Sequence, residues 1–576
     1  MKRCFWLIGL VLSASAIALA DSSLERVLKR VPDDTGAIVI IPSLESLNKG
    51  FTSFGKAIGV EDLANFDAIK NMDFEDEIGK AASEVVDIKG AFVLTMTIDA
   101  EQGVAIVELT DVSQVEKTEG ATKGDDGVYT IKREFGEKYF AIDGKLAIFA
   151  NDKSVVQSAL KSQGKFGETV SKTTGPLLEK SQGLIYVDAV AMKSKFDEGF
   201  ASFEAMAPMM AAMMGPQGAS AGSAITFLVS EIKSIAADSR AWVFAGRLGT
   251  DGFGITAHAA FKPDSKTAAY MKDVKPGKGN ILASLPDERS LFTMAYDFVA
   301  PAHSESISEK LAKVMIPEMK FDDPSERERL EAAVKRSVES AKAITGMSMA
   351  FTMTPEKKIL TSGVMQTADS GLVMKNFEAA NEMSQLMSKA FGGGAMKWTV
   401  ATAKESIGGA EAVVSNIELQ SDDPNVTQML EMMYGGAKMT SIAAVAKDAV
   451  VYASGSADAA KAQVEKLLKQ KGPGLSGNSE VKAALATISP KPQGVVLVDL
   501  AQAFEWGMGI AGSMGMPIPP AKLDPAAKAL AAFAVYMEPE SARMELSVPS
   551  QTLKALMDAM KKMQEDSSEA AGDGAT

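Results

Sequence analysis

The sequence predicts an α+β protein built by tandem duplication, each copy a mostly antiparallel sheet with helices packed on one face. Three observations carry this expectation: blocks of strand-like sequence recur in one order in both halves, neighbouring strands are joined by short turns, and the longer connections have helical periodicity. "RVPDDTGAIVIIPSL" and "SLPDERSLFTMAYDF" each set a Pro-Asp turn, at Pro32 and Pro286, before an apolar strand. "KLAIFANDKSVVQSALKSQ" is matched by "DAVVYASGSADAAKAQVEKLLKQ", a strand broken by small polar residues and followed by a helix. Each copy then has a strand ending in Val-Asp, "GLIYVDAVAM" with Asp188 and "GVVLVDLAQAF" with Asp499. Both copies close on a two-stranded pattern and a helix: "RAWVFAGRLGTDGFGITAHAAF" before "KPDSKTAAYMKDV", and "AAFAVYMEPESARMELSV" before "PSQTLKALMDAMKKM".

These blocks place copy 1 at residues 21–276 and copy 2 at 277–564, with a small, acidic, irregular tail at 565–576. Copy 2 carries extra helix, including "SERERLEAAVKRSVESAKAI", whose core stripe reads as Leu330, Val334, Val338 and Ala341. Short turns inside "DIKGAFVLTMTIDAEQGVAIVELT" and "DDGVYTIKREFGEKYFAIDG" favour antiparallel hairpins.

Residues 1–20 combine Lys2 and Arg3, the apolar run "CFWLIGLVLSASAIA" and the small-residue site ending at Ala20. That pattern predicts a cleavable signal peptide, a mature chain beginning at Asp21, and export to the periplasm, the cell envelope or the medium. No later run is long and apolar enough to predict a transmembrane span. The one cysteine, Cys4, lies in the signal, so disulfides and thiolate chemistry are excluded from the mature chain. The formal charge of −14, more negative still without Lys2 and Arg3, repels phosphate backbones and argues against nucleic-acid partners.

The ordered set "VPDDTGAIVIIPSLESL", "LAIFANDKSVVQSAL" and "GLIYVD", with their second copies, resembles a family of exported bacterial proteins catalogued only as a domain of unknown function. The resemblance implies a secreted or envelope-associated α+β protein. It supplies no catalytic residues to carry over.

Chemistry is sparse. The histidines are His258 and His303, which leaves little for a metal centre or a nucleophilic triad, and no cofactor is expected. In "GITAHAAF" the alternation sets Ile255, Ala257, Ala259 and Phe261 on one face and His258 on the other, which reads as a surface position. "AGSMG" around Ser513 is a weak nucleophile-elbow pattern with no convincing strand before it. The carboxylate pairs at Asp33, Asp125, Asp322 and Asp422 sit at turn spacing, and Asp188 and Asp499 read as caps for the helices after them.

What stands out is methionine. "FEAMAPMMAAMMGPQG" has Met206, Met209, Met210, Met213 and Met214, and the chain is uncharged from Ala205 to Ser230. The stripe Met192, Phe196, Phe200, Phe203 predicts a helix packed at its base, restarted or kinked at Pro208, in a hairpin with an apolar tip. Copy 2 repeats the trait in "WGMGIAGSMGMPIPPA", with Trp506, Met508, Met514 and Met516. Three readings stay open: burial as core filler, an exposed surface for an apolar ligand, membrane or envelope protein, and Cu(I) binding through Met206, Met209, Met210 and Met213. The expected class is a non-catalytic binding or structural protein; the alternative is an enzyme using only Asp, Glu, Ser or Lys. Mass spectrometry of exported protein is expected to find Asp21 at the N-terminus, and a mature product that keeps Met1 contradicts the signal reading.

Overall fold

The computed structural model describes residues 21–72, 80–98, 102–133, 136–213, 218–277, 281–299, 301, 307–319, 321, 323–392, 396–421, 424–513, 523 and 529–572. The expected signal peptide with Ala20, and also His303, Met214, Met514 and Met516, lie outside them.

Ten strands form the sheet of copy 1: β1 Thr35–Ile41, β2 Phe92–Thr97, β3 Val104–Glu108, β4 Ala121–Lys123, β5 Tyr129–Arg133, β6 Gly136–Asp143, β7 Leu146–Ala150, β8 Gly183–Asp188, β9 Ser239–Gly249 and β10 Gly252–Phe261. Their antiparallel pairings give the order 4-5-6-7-3-2-1-8-9-10. Copy 2 supplies β11 Phe292–Tyr296, β12 Ile344–Met353, β13 Ile359–Thr367, β14 Met396–Ile407, β15 Ala410–Ser421, β16 Lys438–Ala446, β17 Ala449–Gly455, β18 Gly494–Val498, β19 Ala531–Glu538 and β20 Ser541–Pro549. The order of its first nine strands is 14-15-16-17-13-12-11-18-19, that of copy 1 with ten added to each number. The tandem duplication is therefore present in the topology. The "GLIYVD" and "GVVLVD" strands, β8 and β18, hold equivalent places.

Among the helices are α1 Asp21–Leu28, α2 Leu44–Ile58, α3 Lys153–Lys161, α4 Lys165–Leu178, α5 Lys193–Met213 and α6 Gly218–Asp238 in copy 1, then α7 Ile307–Met315, α8 Pro324–Ala343, α9 Ser370–Gly392, α10 Pro424–Tyr434, α11 Ala457–Lys469, α12 Ser479–Leu485, α13 Leu500–Ser513 and α14 Ser550–Gly572 in copy 2, and the expected helix closing copy 1 is present at Lys266–Asp273. Polar caps set several starts: Ser43 accepts from Ser46 N at α2, Asp152 from Ser154 N at α3, and Asn478 from Glu480 N at α12. α14 runs to Gly572, past the expected start of an irregular tail at 565, because Gln, Glu and Ala there favour helix. In α8 the buried side is Leu330, Ala333 and Val338, while Ala341, expected in the core, is exposed.

By compactness the chain forms two units: residues 1–198, 236–265 and 540–554, and residues 199–235, 266–539 and 555–576. Each unit follows its own repeat except for pieces exchanged in both directions. β20 joins the first unit beside β10, and most of the α5–α6 hairpin belongs to the second.

In the first unit α1, α3 and α4 cover one sheet face, burying Ile38, Val93, Ile106, Tyr186 and Val243 beneath Val27, Val156 and Val170. In the second, α11 and α12 do the same over Val364, Ala453, Leu497 and Ala534. The equivalent helices thus cover equivalent faces. Copy 2 adds α9 on its opposite face, where Val373 and Met374 meet Val413, Val450 and Tyr452. α1 is held to β3 by Ser23 and Arg26, which both donate to the buried Glu108, while Ser23 Oγ accepts from Ala91 N at 2.9 Å.

Gly252 opens β10 at φ +143°, and a Cβ there would sit 2.1 Å from Val548 O of β20. Gly252→Ala is expected to cost about 3 kcal/mol in a denaturant melt, from left-handed strain plus the clash. Gly120→Ala, at φ +79° with open space around it, should cost only about 1 kcal/mol.

Candidate functional site

The two Val-Asp strand ends are built alike and have diverged. Asp188 Oδ1 accepts from Val190 N and Ala191 N, both at 2.9 Å. Asp499 Oδ1 accepts from Gln502 N at 2.9 Å. Asp499 caps α13, as the sequence implies, whereas Asp188 caps the turn at 189–192 that precedes α5. Asp499 is also wholly buried and takes Arg289 Nε at 2.6 Å, and this hydrogen bond raises the Arg289 pKa above its ordinary value. A buried carboxylate with a cation is a structural tie rather than a reactive acid.

The methionine-rich segment is a helical hairpin. α5 passes through Pro208 without a break, contrary to the expected restart, and α6 returns beside it. Glu204 of α5 meets Lys233 of α6 at 2.7 Å, and Glu231 meets Lys310 of α7 at 2.8 Å. Phe196 packs on Trp242, ring centroids 4.5 Å apart, and Met192 is buried, so the base is core. Phe203, expected in that base, is exposed. Phe203, Met206 and Met209 on α5 and Leu228, Ile232 and Ile235 on α6 are between 43% and 59% exposed. With Glu204 beside Lys233, antiparallel helices set Met209 level with Leu228 and Phe203 near Ile235. Six large apolar side chains are therefore exposed along the two helices.

Met210 and Met213 lie in α5, but only their backbone is described. In copy 2 Trp506 and Met508 sit half-buried on α13. Ser513 ends that helix, so a helix and not a strand precedes the "AGSMG" pattern.

The sheets hold a feature that sequence reasoning did not single out. An antiparallel sheet with one covered face normally turns polar side chains outward. Here the second face is apolar too. Leu94, Val39, Ile185, Phe244, Ala257 and Met544 stand opposite one another in register across β2, β1, β8, β9, β10 and β20. All six are partly exposed, Phe244 to 39% and Met544 to 47%. In copy 2 the equivalent positions on β12, β11, β18 and β19 are Met349, Met294, Val496 and Phe533, again partly exposed and again ending on phenylalanine at the ninth strand. The available signal was the lack of polar alternation in "AIVII", "FVLTMT" and "GLIYV".

His258 illustrates the same inversion. It is half-buried between Val243 and Arg543, on the helix-covered face, while Ile255, Ala257 and Ala259 are on the partly exposed one. Alternation grouped Ile255, Ala257 and Ala259 correctly but assigned the faces the wrong way round, and Phe261, expected with them, is buried beyond a register shift at Ala260. Among the described residues no group of three His, Cys, Asp or Glu could hold a metal ion, and no helix is long and apolar enough to cross a membrane.

No family model matches the chain, and no curated protein matches it. Three solved chains match. Two are described as the structures of crystal forms I and IV of TP0453: each is 9% identical with a TM-score of 0.21, covering 41% of this chain and 78% of that one, and 50% of this chain and 99% of that one, respectively. Likeness at that level carries no argument about function.

Arg289→Met is expected to cost about 3 kcal/mol in urea unfolding, because it strands a fully buried carboxylate. Asp188→Asn should cost about 1 kcal/mol or less, since asparagine also caps.

Proposed function

We propose that this is an exported, non-catalytic binding protein of the bacterial envelope that attaches to a lipid surface through the α5–α6 hairpin. The observation behind this reading is that six large apolar side chains on α5 and α6 are exposed. Water-facing helices normally turn charge outward; this hairpin is uncharged from Ala205 to Ser230. Glu204, Lys233, Glu231 and Lys310 satisfy one another at its margin, so they are not committed to an outside partner.

The charge of −14 makes a neutral surface the better match than an anionic one. Methionine suits it as well, since an unbranched thioether adapts to fluid contacts. The Cu(I) alternative has less support: Met206 and Met209 are exposed, with no histidine or cysteine among the residues of the hairpin.

Flotation with phosphatidylcholine vesicles tests the proposal. The mature protein is expected to float in a salt-independent manner, and the variant Met206→Ser, Met209→Ser, Leu228→Ser, Ile232→Ser to stay at the bottom. Because these side chains are already about half exposed, the melting temperature should move little. A variant that floats like the wild type contradicts the reading. Wild-type protein that ignores vesicles but self-associates through the patch would reassign it to a second copy of the chain.

A further inference from the structure

We propose that the partly exposed apolar row on each sheet binds a single long hydrocarbon chain, such as the acyl chain of a fatty acid, laid across the strands. This site is separate from the hairpin and does not depend on the lipid-surface reading.

The argument begins with composition. The row Leu94, Val39, Ile185, Phe244, Ala257, Met544 contains no polar atom in any side chain, and neither do its flanking rows Val187–Trp242–Ala259–Ala542, apart from the indole N–H of Trp242, and Gly183–Gly246–Ile255–Leu546. Whatever touches this face touches it with hydrocarbon, because a polar group placed there would lose its hydration without a partner.

The extent of the row follows from the fold. Six strands make five steps of about 4.8 Å, so it is about 24 Å long, in the range of a long acyl chain. Its sides are closed: Phe196 of α5 stands on Trp242, and Phe54 of α2 meets Phe253 edge-on, with ring centroids 6.4 Å apart. Between them lie the Phe244 and Gly246 rows, about 7 Å apart. Gly183 faces Gly246 directly, and both are buried, so the partly open part of the face is the row of Ile185, Phe244 and Ala257. A narrow strip flanked by two helices fits a chain better than a flat bilayer or a broad protein face.

Repetition supports the assignment. Copy 2 places Met349, Met294, Val496 and Phe533 at the matching positions, and Gly494 where copy 1 has Gly183. In copy 2 α9 packs over Met349, so the part of its row left open is Met294, Val496 and Phe533.

The test is titration of the full mature chain with the fluorescent fatty acid cis-parinaric acid, with palmitate as competitor. One probe per copy is expected to bind and to be displaced. Ala257→Glu, and separately Met544→Glu, should weaken the copy 1 site about tenfold or more, and Val496→Glu should do the same to the copy 2 site. Met544 is already half exposed, so its variant keeps the measurement decisive if Ala257→Glu fails to fold. Wild-type protein that does not bind the probe, or row variants that bind it with wild-type affinity, overturn the proposal. The same variants should float on phosphatidylcholine vesicles as the wild type does, and the hairpin variant should bind cis-parinaric acid normally, so each reading can fail alone.

Discussion

The constraint on which the rest of the molecule depends is an antiparallel sheet that is apolar on both faces. A strand whose side chains alternate up and down can bury only one set against one layer of helices. In each copy that layer is supplied by the helices after the seventh and seventeenth strands, which seat valines, leucines and alanines over the sheet centre. The other face is then an unfinished interface. It is partly finished from within: α9 in copy 2 covers Met349 and Met365, and α2 and the base of α5 cover the margins in copy 1. What remains between these covers is where the protein has apolar area left over.

Duplication explains why the same surplus appears twice, and divergence shows which parts answer to local needs. The outermost strand of copy 1, β4, has three residues, while its counterpart β14 has twelve and supports the added α9 through Lys404 and Glu378, 3.4 Å apart. The strand-end aspartates kept their capping role in both copies. Only Asp499 is fully buried, and only it acquired an arginine. A buried carboxylate without a cation is costly, so burial and Arg289 belong together. The apolar row diverged far less in character: leucine, valine and isoleucine became methionine, methionine and valine, and phenylalanine stayed phenylalanine.

Much of the architecture was legible in the residues. Matched blocks gave the repeat, short turns gave the hairpins, and carboxylates placed just after strands gave the caps. Three things were not, each for a physical reason. Periodicity says which residues share a face and not which face is covered, so His258 was placed on the wrong side of a correct pattern. Pro208 removes one hydrogen bond of a helix whose flanking residues are strong helix formers, and α5 continues through it. Phe203 continues the stripe of Phe196 and Phe200 and yet is exposed, and a sequence pattern carries no record of where its partner stops.

That last point bears on the methionines. A stripe that starts on Trp242 and ends on exposed methionines is core at one end and surface at the other, without any change in composition. Methionine tolerates that transition better than branched residues, because its flexible side chain loses little by lacking one fixed packing partner. The sheet rows make the complementary case: there the backbone is rigid, the positions are set by register, and Phe244 and Phe533 are ordered by their neighbours. Rigid rows suit a ligand of defined shape, and a flexible helical patch suits a surface without one. The two apolar features of this protein therefore differ in kind, and that difference separates a chain-binding strip from a lipid-contacting hairpin within one molecule.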